Sequence, residues 1–265
     1  MADFFEFQGG KIHYRDVGDG NAVVLIHGFL ESLTMWKNFE EKLSKTFRVI
    51  TLDLPGHGLS SNYGLSNTMD FMADAVNTLL DILDIGKAVV IGHSMGGYVT
   101  AAFARNHAEK LAGFGFFHSH AAADSPEAKI NRGRAVKVVE ENHKNFISSF
   151  IPDLFSEENR VKYKKEIEAM QSESQKMEKQ GIIAALNGMR ERLDAYDILS
   201  KATVPVMFMI GKQDIRAPMD KLKEQIFLPK DSRVLILEKA AHMGFLEAFD
   251  ETSCFTADFV GACYE

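Results

Sequence analysis

Apolar residues along this chain fall into two rhythms. Apolar-rich runs at 22–26, 48–54, 88–91, 114–117, 204–210 and 233–237 read as strands; 22–26 shows no alternation, the mark of a strand covered on both faces, and the next three are expected to be buried as well. Stretches with helical spacing lie between them. The clearest runs from Thr68, a candidate N-cap, to about Asp84, with Met69, Met72, Val76, Leu79, Leu80 and Leu83 on one face. Others are expected near 36–44, 98–107 and 218–227 and at the C-terminus. Two strands at 4–9 and 12–17, joined at Gly9-Gly10, read as a hairpin. Strands alternating with helices predict a mostly parallel, eight-stranded twisted sheet with helices on both faces.

The rhythm breaks once. After strand six, from Ala121 to about Ala202, there is no buried strand, only polar helical patterning. Tyr163, Ile167, Met170 and Met177 form an apolar stripe within it, expected to pack against the main body. We therefore expect a core of residues 1–120 and 203–265 and a helical cap of residues 121–202.

The length of 265 residues suits one α/β domain with such an insertion. A net charge of -7, spread along the chain, gives no basic face for nucleic acid. No apolar run approaches the roughly 18 residues a membrane helix needs. The N-terminus, Met1-Ala2-Asp3-Phe4-Phe5-Glu6, lacks the basic and apolar segments of an export signal. Cys254 and Cys263 are expected as free thiols, poorly placed to bridge on one terminal helix. The cytoplasm is the expected location.

Chemistry concentrates where a strand meets a helix. The run Ala88-Val89-Val90-Ile91 leads into Gly92-His93-Ser94-Met95-Gly96-Gly97, which fits G-x-S-x-G in the strand–turn–helix context of a nucleophile elbow. A serine hydroxyl is a weak nucleophile and needs an adjacent base, itself oriented by a third group. Asp214 and His242 each follow a predicted strand directly, and the carboxyl ends of parallel strands line one edge. Asp124, after the preceding strand, is the competing acid.

Five motifs in order carry a resemblance over nearly the whole length. They are His27-Gly28-Phe29, Asp53-Leu54-Pro55-Gly56-His57-Gly58, the elbow, Gly211-Lys212-Gln213-Asp214 and Ala241-His242-Met243-Gly244. With them the chain resembles the α/β-hydrolases of the esterase, lactonase and C–C hydrolase kind. The resemblance implies Ser94 as nucleophile, His242 as base and Asp214 as its orienting acid. It further implies an oxyanion hole from the backbone N–H groups of Phe29 and Met95. No cofactor is implied, because such a triad supplies both nucleophile and base.

The remaining candidates have quieter readings. His27, His57 and His93 are expected to make loop hydrogen bonds, and Asp53 to act as a structural acceptor. His118 and His120 could suggest metal ligands, but no Cys or carboxylate completes a set, so pocket lining or loop packing is expected and no metal. Phe29, Leu30, Trp36 and Met95 suggest apolar pocket walls. Arg190 and Arg192 could meet an anionic substrate, but are expected to serve a helix C-terminus, and Tyr98 stands where a related subfamily would place a carboxylate-binding arginine.

Hydrolysis of a small-molecule carboxylic ester or lactone through an acyl-serine is therefore the expected activity. C–C bond hydrolysis of a dioxo acid, haloperoxidase-like or synthase chemistry on the same triad, and a ligand receptor with a slow residual triad are the alternatives. Epoxide hydrolase and dehalogenase chemistry is disfavoured, since those sites place an aspartate where Ser94 stands. Acyl-chain length and oligomeric state do not follow from the sequence.

Overall fold

The computed structural model describes residues 3–265. Met1 and Ala2, part of the stretch read above for an export signal, lie outside the described residues. The strands are β1 (Asp3–Phe7), β2 (Gly10–Val17), β3 (Ala22–Ile26), β4 (Arg48–Leu52), β5 (Ala88–His93), β6 (Leu111–Phe117), β7 (Val206–Gly211) and β8 (Ser232–Leu237). They form one eight-stranded sheet in the order β1-β2-β4-β3-β5-β6-β7-β8. Only β1/β2 and β2/β4 pair antiparallel; every later pairing is parallel.

Every residue of β3, β5, β6 and β7 is buried, which explains their largely apolar runs. The helices α1 (Lys37–Leu43), α2 (Met69–Ile82) and α3 (Met95–Asn106) alternate with the first strands. Thr68 caps α2 as expected, its hydroxyl accepting from the Phe71 N–H at 3.1 Å. Five helices then lie between β6 and β7: α4 (Pro126–Phe150), α5 (Glu157–Lys162), α6 (Lys164–Ser174), α7 (Lys179–Glu191) and α8 (Tyr196–Ser200). Helix α4 bends at Asn142, whose φ of -155° and ψ of 87° leave the helical region. After β7 come α9 (Met219–Leu222), α10 (Gly244–Glu247) and α11 (Phe249–Ala262). No helix of the described residues is long and apolar enough to cross a membrane.

The stripe within the insertion packs inward: Ile167 and Met177 are buried, and Tyr163 and Met170 press against the core from its edge. The insertion is also sewn to the sheet's carboxyl edge. Ser174 Oγ donates to the Leu30 carbonyl at 2.6 Å, and the His242 N–H donates to the Leu154 carbonyl at 3.0 Å.

Two sequence expectations shift. The hairpin turns at Gln8-Gly9, with φ of 47° and 82°, and Gly10 already belongs to β2. Such tight hairpins need positive φ at both central residues, and Gly9 takes one of them without strain. The helix expected over 218–227 is broken after α9. The Gln225 side chain donates to the Lys221 carbonyl at 2.6 Å and accepts from the Ala121 N–H at 2.7 Å, so it replaces the helical bond that carbonyl would accept.

Close packing at the β5–α3 junction gives the first test. A Cβ on Gly92 would run into the Gly96 carbonyl and the Gly97 nitrogen, both backbone atoms that cannot yield. Gly92→Ala should cost roughly 2–3 kcal/mol in urea unfolding, the range of core overpacking. Gly86→Ala, with nothing within 4 Å of the added carbon, should leave the midpoint nearly unchanged.

Candidate active site

The carboxyl edge of the sheet gathers the chemistry. Ser94 occupies the sharp turn between β5 and α3 with φ 50° and ψ -115°, a conformation that a non-glycine residue adopts only when its surroundings impose it. Its N–H donates to the Phe117 carbonyl at 3.0 Å, and its own carbonyl accepts from Ser119 Oγ at 2.7 Å. Those two bonds to the end of β6 fix the strained turn from both sides.

Three side chains from three strand ends meet there. His242 Nε2 lies 2.8 Å from Ser94 Oγ, and His242 Nδ1 lies 2.8 Å from Asp214 Oδ2. The other oxygen, Asp214 Oδ1, accepts from the N–H groups of Arg216 at 2.7 Å and Ala217 at 3.0 Å. Burial alone would raise the Asp214 pKa, but the neighbouring His242 and His118 rings hold it well below the usual carboxylate range. A hydroxyl, an imidazole and an ionised buried carboxylate in series are what removal of the hydroxyl proton requires. Asp124, the competing acid, is occupied elsewhere: it pairs with Arg132 and with Arg192 Nη1, the latter at 2.6 Å.

Backbone donors flank the serine. Met95 opens α3, and Phe29 follows the His27-Gly28 pair at the end of β3. Among the described residues neither N–H donates to another protein group, so both remain available for an anion. A Cβ on Gly28 would crowd Glu31 Oε2 at 2.6 Å, His93 Nδ1 at 2.9 Å and Ser94 Cβ at 3.1 Å, so only glycine fits this approach.

Glu31 is the residue the sequence reading overlooked. Its Oε2 accepts from the Gly28 N–H at 2.5 Å and faces His93 Nδ1 at 2.9 Å. His93 Nε2 in turn lies 2.8 Å from the His242 carbonyl oxygen. With an acceptor opposite each ring nitrogen, His93 carries a proton on both. Burial lowers its pKa, but the Glu31 charge outweighs this and the net shift is upward. Glu31 is correspondingly held ionised, burial being outweighed by His93. The available signal was a carboxylate set among apolar residues two positions after Phe29.

The structural readings of the other histidines hold. His27 Nε2 accepts from the Leu54 N–H at 2.9 Å, so its Nδ1 donates to the Gly28 carbonyl. Asp53 accepts from Leu33 and Leu59 N–H groups and from His13. His57 Nδ1 donates to the Pro55 carbonyl at 3.2 Å.

A cavity of about 470 Å³ opens over Ser94 and His242. Phe29 and His120 line it, as expected, together with Phe146, Phe150, Leu186 and Met189. Four other pocket expectations fail. The Met95 side chain is fully buried in the core rather than on the cavity wall. Trp36 is fully buried against Phe39, Phe117 and Phe245, where the aromatic core of the sheet edge claims it. Leu30 faces a second cavity of about 440 Å³, on the far side of Glu31. His118 lies beneath the triad, with Nδ1 3.4 Å from Asp214 Oδ2 and neither ring nitrogen in hydrogen-bond geometry. The apolar walls also need correction, because Arg132, Arg192, Arg216 and Lys221 line the same cavity. Arg192 does not merely end its helix: its guanidinium stacks 3.9 Å above the Tyr98 ring, one turn past Ser94. Among the described residues no group of three metal-ligating side chains is assembled.

Fold and site together define the class. The chain belongs to the α/β-hydrolase fold family, whose model matches residues 21–249. It is similar to a thermophilic esterase from Thermogutta terrifontis, solved with malate bound, at 32% identity and a TM-score of 0.93, covering 100% of this chain and 98% of that one. An enol-lactonase from Burkholderia xenovorans LB400 superposes with a TM-score of 0.91 at 25% identity, covering 98% of this chain and 100% of that one. A 2-hydroxy-6-oxononadienedioate/2-hydroxy-6-oxononatrienedioate hydrolase of Pseudomonas putida is 25% identical over 94% of this chain and 92% of its own. The first curated relatives are matched over only part of their length, this chain spanning 66% of an acetoin-cleaving-system acetyltransferase component of Pseudomonas putida and 30% of three mycobacterial proteins.

Buried neutral histidines set a pH dependence. Burial pushes the pKa of His118 down to about 4, and those of His57 and His120 down to about 3. In the unfolded chain each imidazole regains a proton near its ordinary value of about 6.5. Acidification below that value therefore favours unfolding, by about 2 kcal/mol per site between pH 7 and pH 5. Urea unfolding of wild type and His118→Asn at both pH values should show the variant losing roughly 2 kcal/mol less on acidification. Equal losses would mean that His118 is charged in the fold.

Proposed function

We propose that this protein is a serine hydrolase that cleaves a small carboxylic ester or lactone through an acyl-serine intermediate. The observation that carries the reading is the unbroken series Ser94–His242–Asp214, with both contacts at 2.8 Å, at the floor of an open cavity. In this reading Ser94 Oγ attacks the substrate carbonyl while His242 Nε2 takes its proton. His242 then returns that proton to the leaving oxygen, and a water activated by the same nitrogen releases the acid. Asp214 holds the ring's tautomer and stabilises its charged form.

The developing oxyanion would sit between the Phe29 and Met95 N–H groups. The helix N-terminus behind Met95 adds a favourable field. Residues 121–202 act as a cap that shapes the acyl and alcohol subsites over a core of residues 1–120 and 203–265. The esterase and enol-lactonase likenesses support ester and lactone bonds as the substrate class. C–C cleavage of a dioxo acid is the second reading; it is supported by the Pseudomonas putida hydrolase at 25% identity, against 32% for the esterase.

A fluorophosphonate probe should label the wild-type protein once, on Ser94. Ser94→Ala should abolish labelling and lower kcat on short p-nitrophenyl esters by at least about 10³-fold. A folded wild type that resists the probe, or one that stops after a single turnover, would remove the hydrolase reading in favour of a ligand receptor.

A further inference from the structure

Charge is unevenly matched around the cavity over Ser94. Four cations line it, Arg132, Arg192, Arg216 and Lys221, against the carboxylates of Glu31 and Asp124. Glu31 is matched by His93. Asp124 alone serves both Arg132 and Arg192, and Arg192 is further held by the carbonyls of Ala122 and Met189. Arg216 and Lys221 are left over. Among the described residues neither enters an ion pair, whereas Lys223 in the next turn pairs with Asp220 at 2.5 Å. Asp153, another carboxylate that acts on Arg216, is itself paired with Arg160 at 2.9 Å. An excess of positive charge here runs against the chain's net charge of -7.

The placement of Arg216 ties that charge to the reacting centre. Its backbone N–H donates to Asp214 Oδ1 at 2.7 Å, so its position is set by the triad acid. Its guanidinium lies 4.5 Å from the Phe150 ring centroid, a face that attracts a cation without neutralising it. Phe150 packs edge-on against Phe29 at 5.6 Å, and Phe29 supplies one of the two free N–H groups beside Ser94. Arg216 and Lys221 are both exposed, so their charged ends are open to an anion entering from solvent, and among the described residues neither has an ion-pair partner to give up.

We propose that Arg216 and Lys221, backed by Arg132, form an anion subsite, and that the substrate is an ester or lactone carrying a second, carboxylate group. The substrate half of this proposal rests on the hydrolase reading above; the anion subsite itself does not. Arg192, stacked on the Tyr98 ring, is not the binding charge, because Asp124 already matches it.

Two measurements test it separately. Wild type should prefer p-nitrophenyl hemisuccinate over p-nitrophenyl butyrate in kcat/KM, or O-acetylglycolate over its amide if the carboxylate sits on the alcohol side. Arg216→Gln/Lys221→Gln should lower that anionic-to-neutral ratio about tenfold or more, and 0.5 M NaCl should lower it in the wild type. In the Ser94→Ala background, where turnover plays no part, calorimetric titration should show succinate binding and succinamide not. Adding the two Gln substitutions should weaken succinate about tenfold or more. Turnover with an unmoved ratio, or succinate affinity indifferent to the two cations, overturns the subsite while leaving the hydrolase reading intact. Charge-dependent succinate binding in a protein that cleaves neither ester keeps the subsite and removes the hydrolase.

Discussion

One buried ion pair fastens the working edge of this molecule. Glu31 and His93, both buried, join the loop after β3 to the elbow, and His93 passes the connection to the His242 carbonyl. The segments carrying the Phe29 N–H, the Ser94 hydroxyl and the His242 imidazole are thus held by one chain of charge-assisted hydrogen bonds. Such a pair is expensive to bury and is tolerable only when each partner's remaining sites are filled. Here the Gly28 N–H fills one side and the His242 carbonyl the other. Removing either charge would leave its partner uncompensated inside a site where positions matter to fractions of an ångström.

The parallel sheet supplies what the pair then adjusts. Strands β3, β5, β6, β7 and β8 point their carboxyl ends the same way, so residues far apart in sequence arrive within one hydrogen bond of each other. The strain in Ser94 is sustained because the end of β6 grips both its N–H and its carbonyl. Beneath them His118 stays neutral and close to Asp214, so the same packing that builds the site makes it vulnerable to acid.

How much of this was legible in the sequence follows from which contacts are local. Strands β3, β5, β6 and β7 were legible because double-sided burial leaves a largely apolar run, and Thr68 because a helix N-cap is a local hydrogen bond. Ser94, Asp214 and His242 were legible because each follows a strand end. Glu31 was not, since its charge partner His93 is distant in sequence and brought to it only by the fold. The cationic wall was not, since Arg132 and Arg192 come from the insertion and Arg216 from the Asp214 loop. Trp36 and Leu30 misled for the complementary reason: an apolar residue near the elbow motifs can face the core or a neighbouring cavity as readily as the substrate.

In the proposed reaction Ser94 Oγ forms a covalent bond to the acyl group during turnover. Rapid acid quench of wild-type protein mixed with a p-nitrophenyl ester, followed by peptide mass analysis, reads this directly. The acyl mass is expected on the peptide containing Ser94, appearing with a stoichiometric burst of p-nitrophenol. Turnover that releases acid while that peptide stays unmodified, or carries the acyl group on another residue, would contradict it.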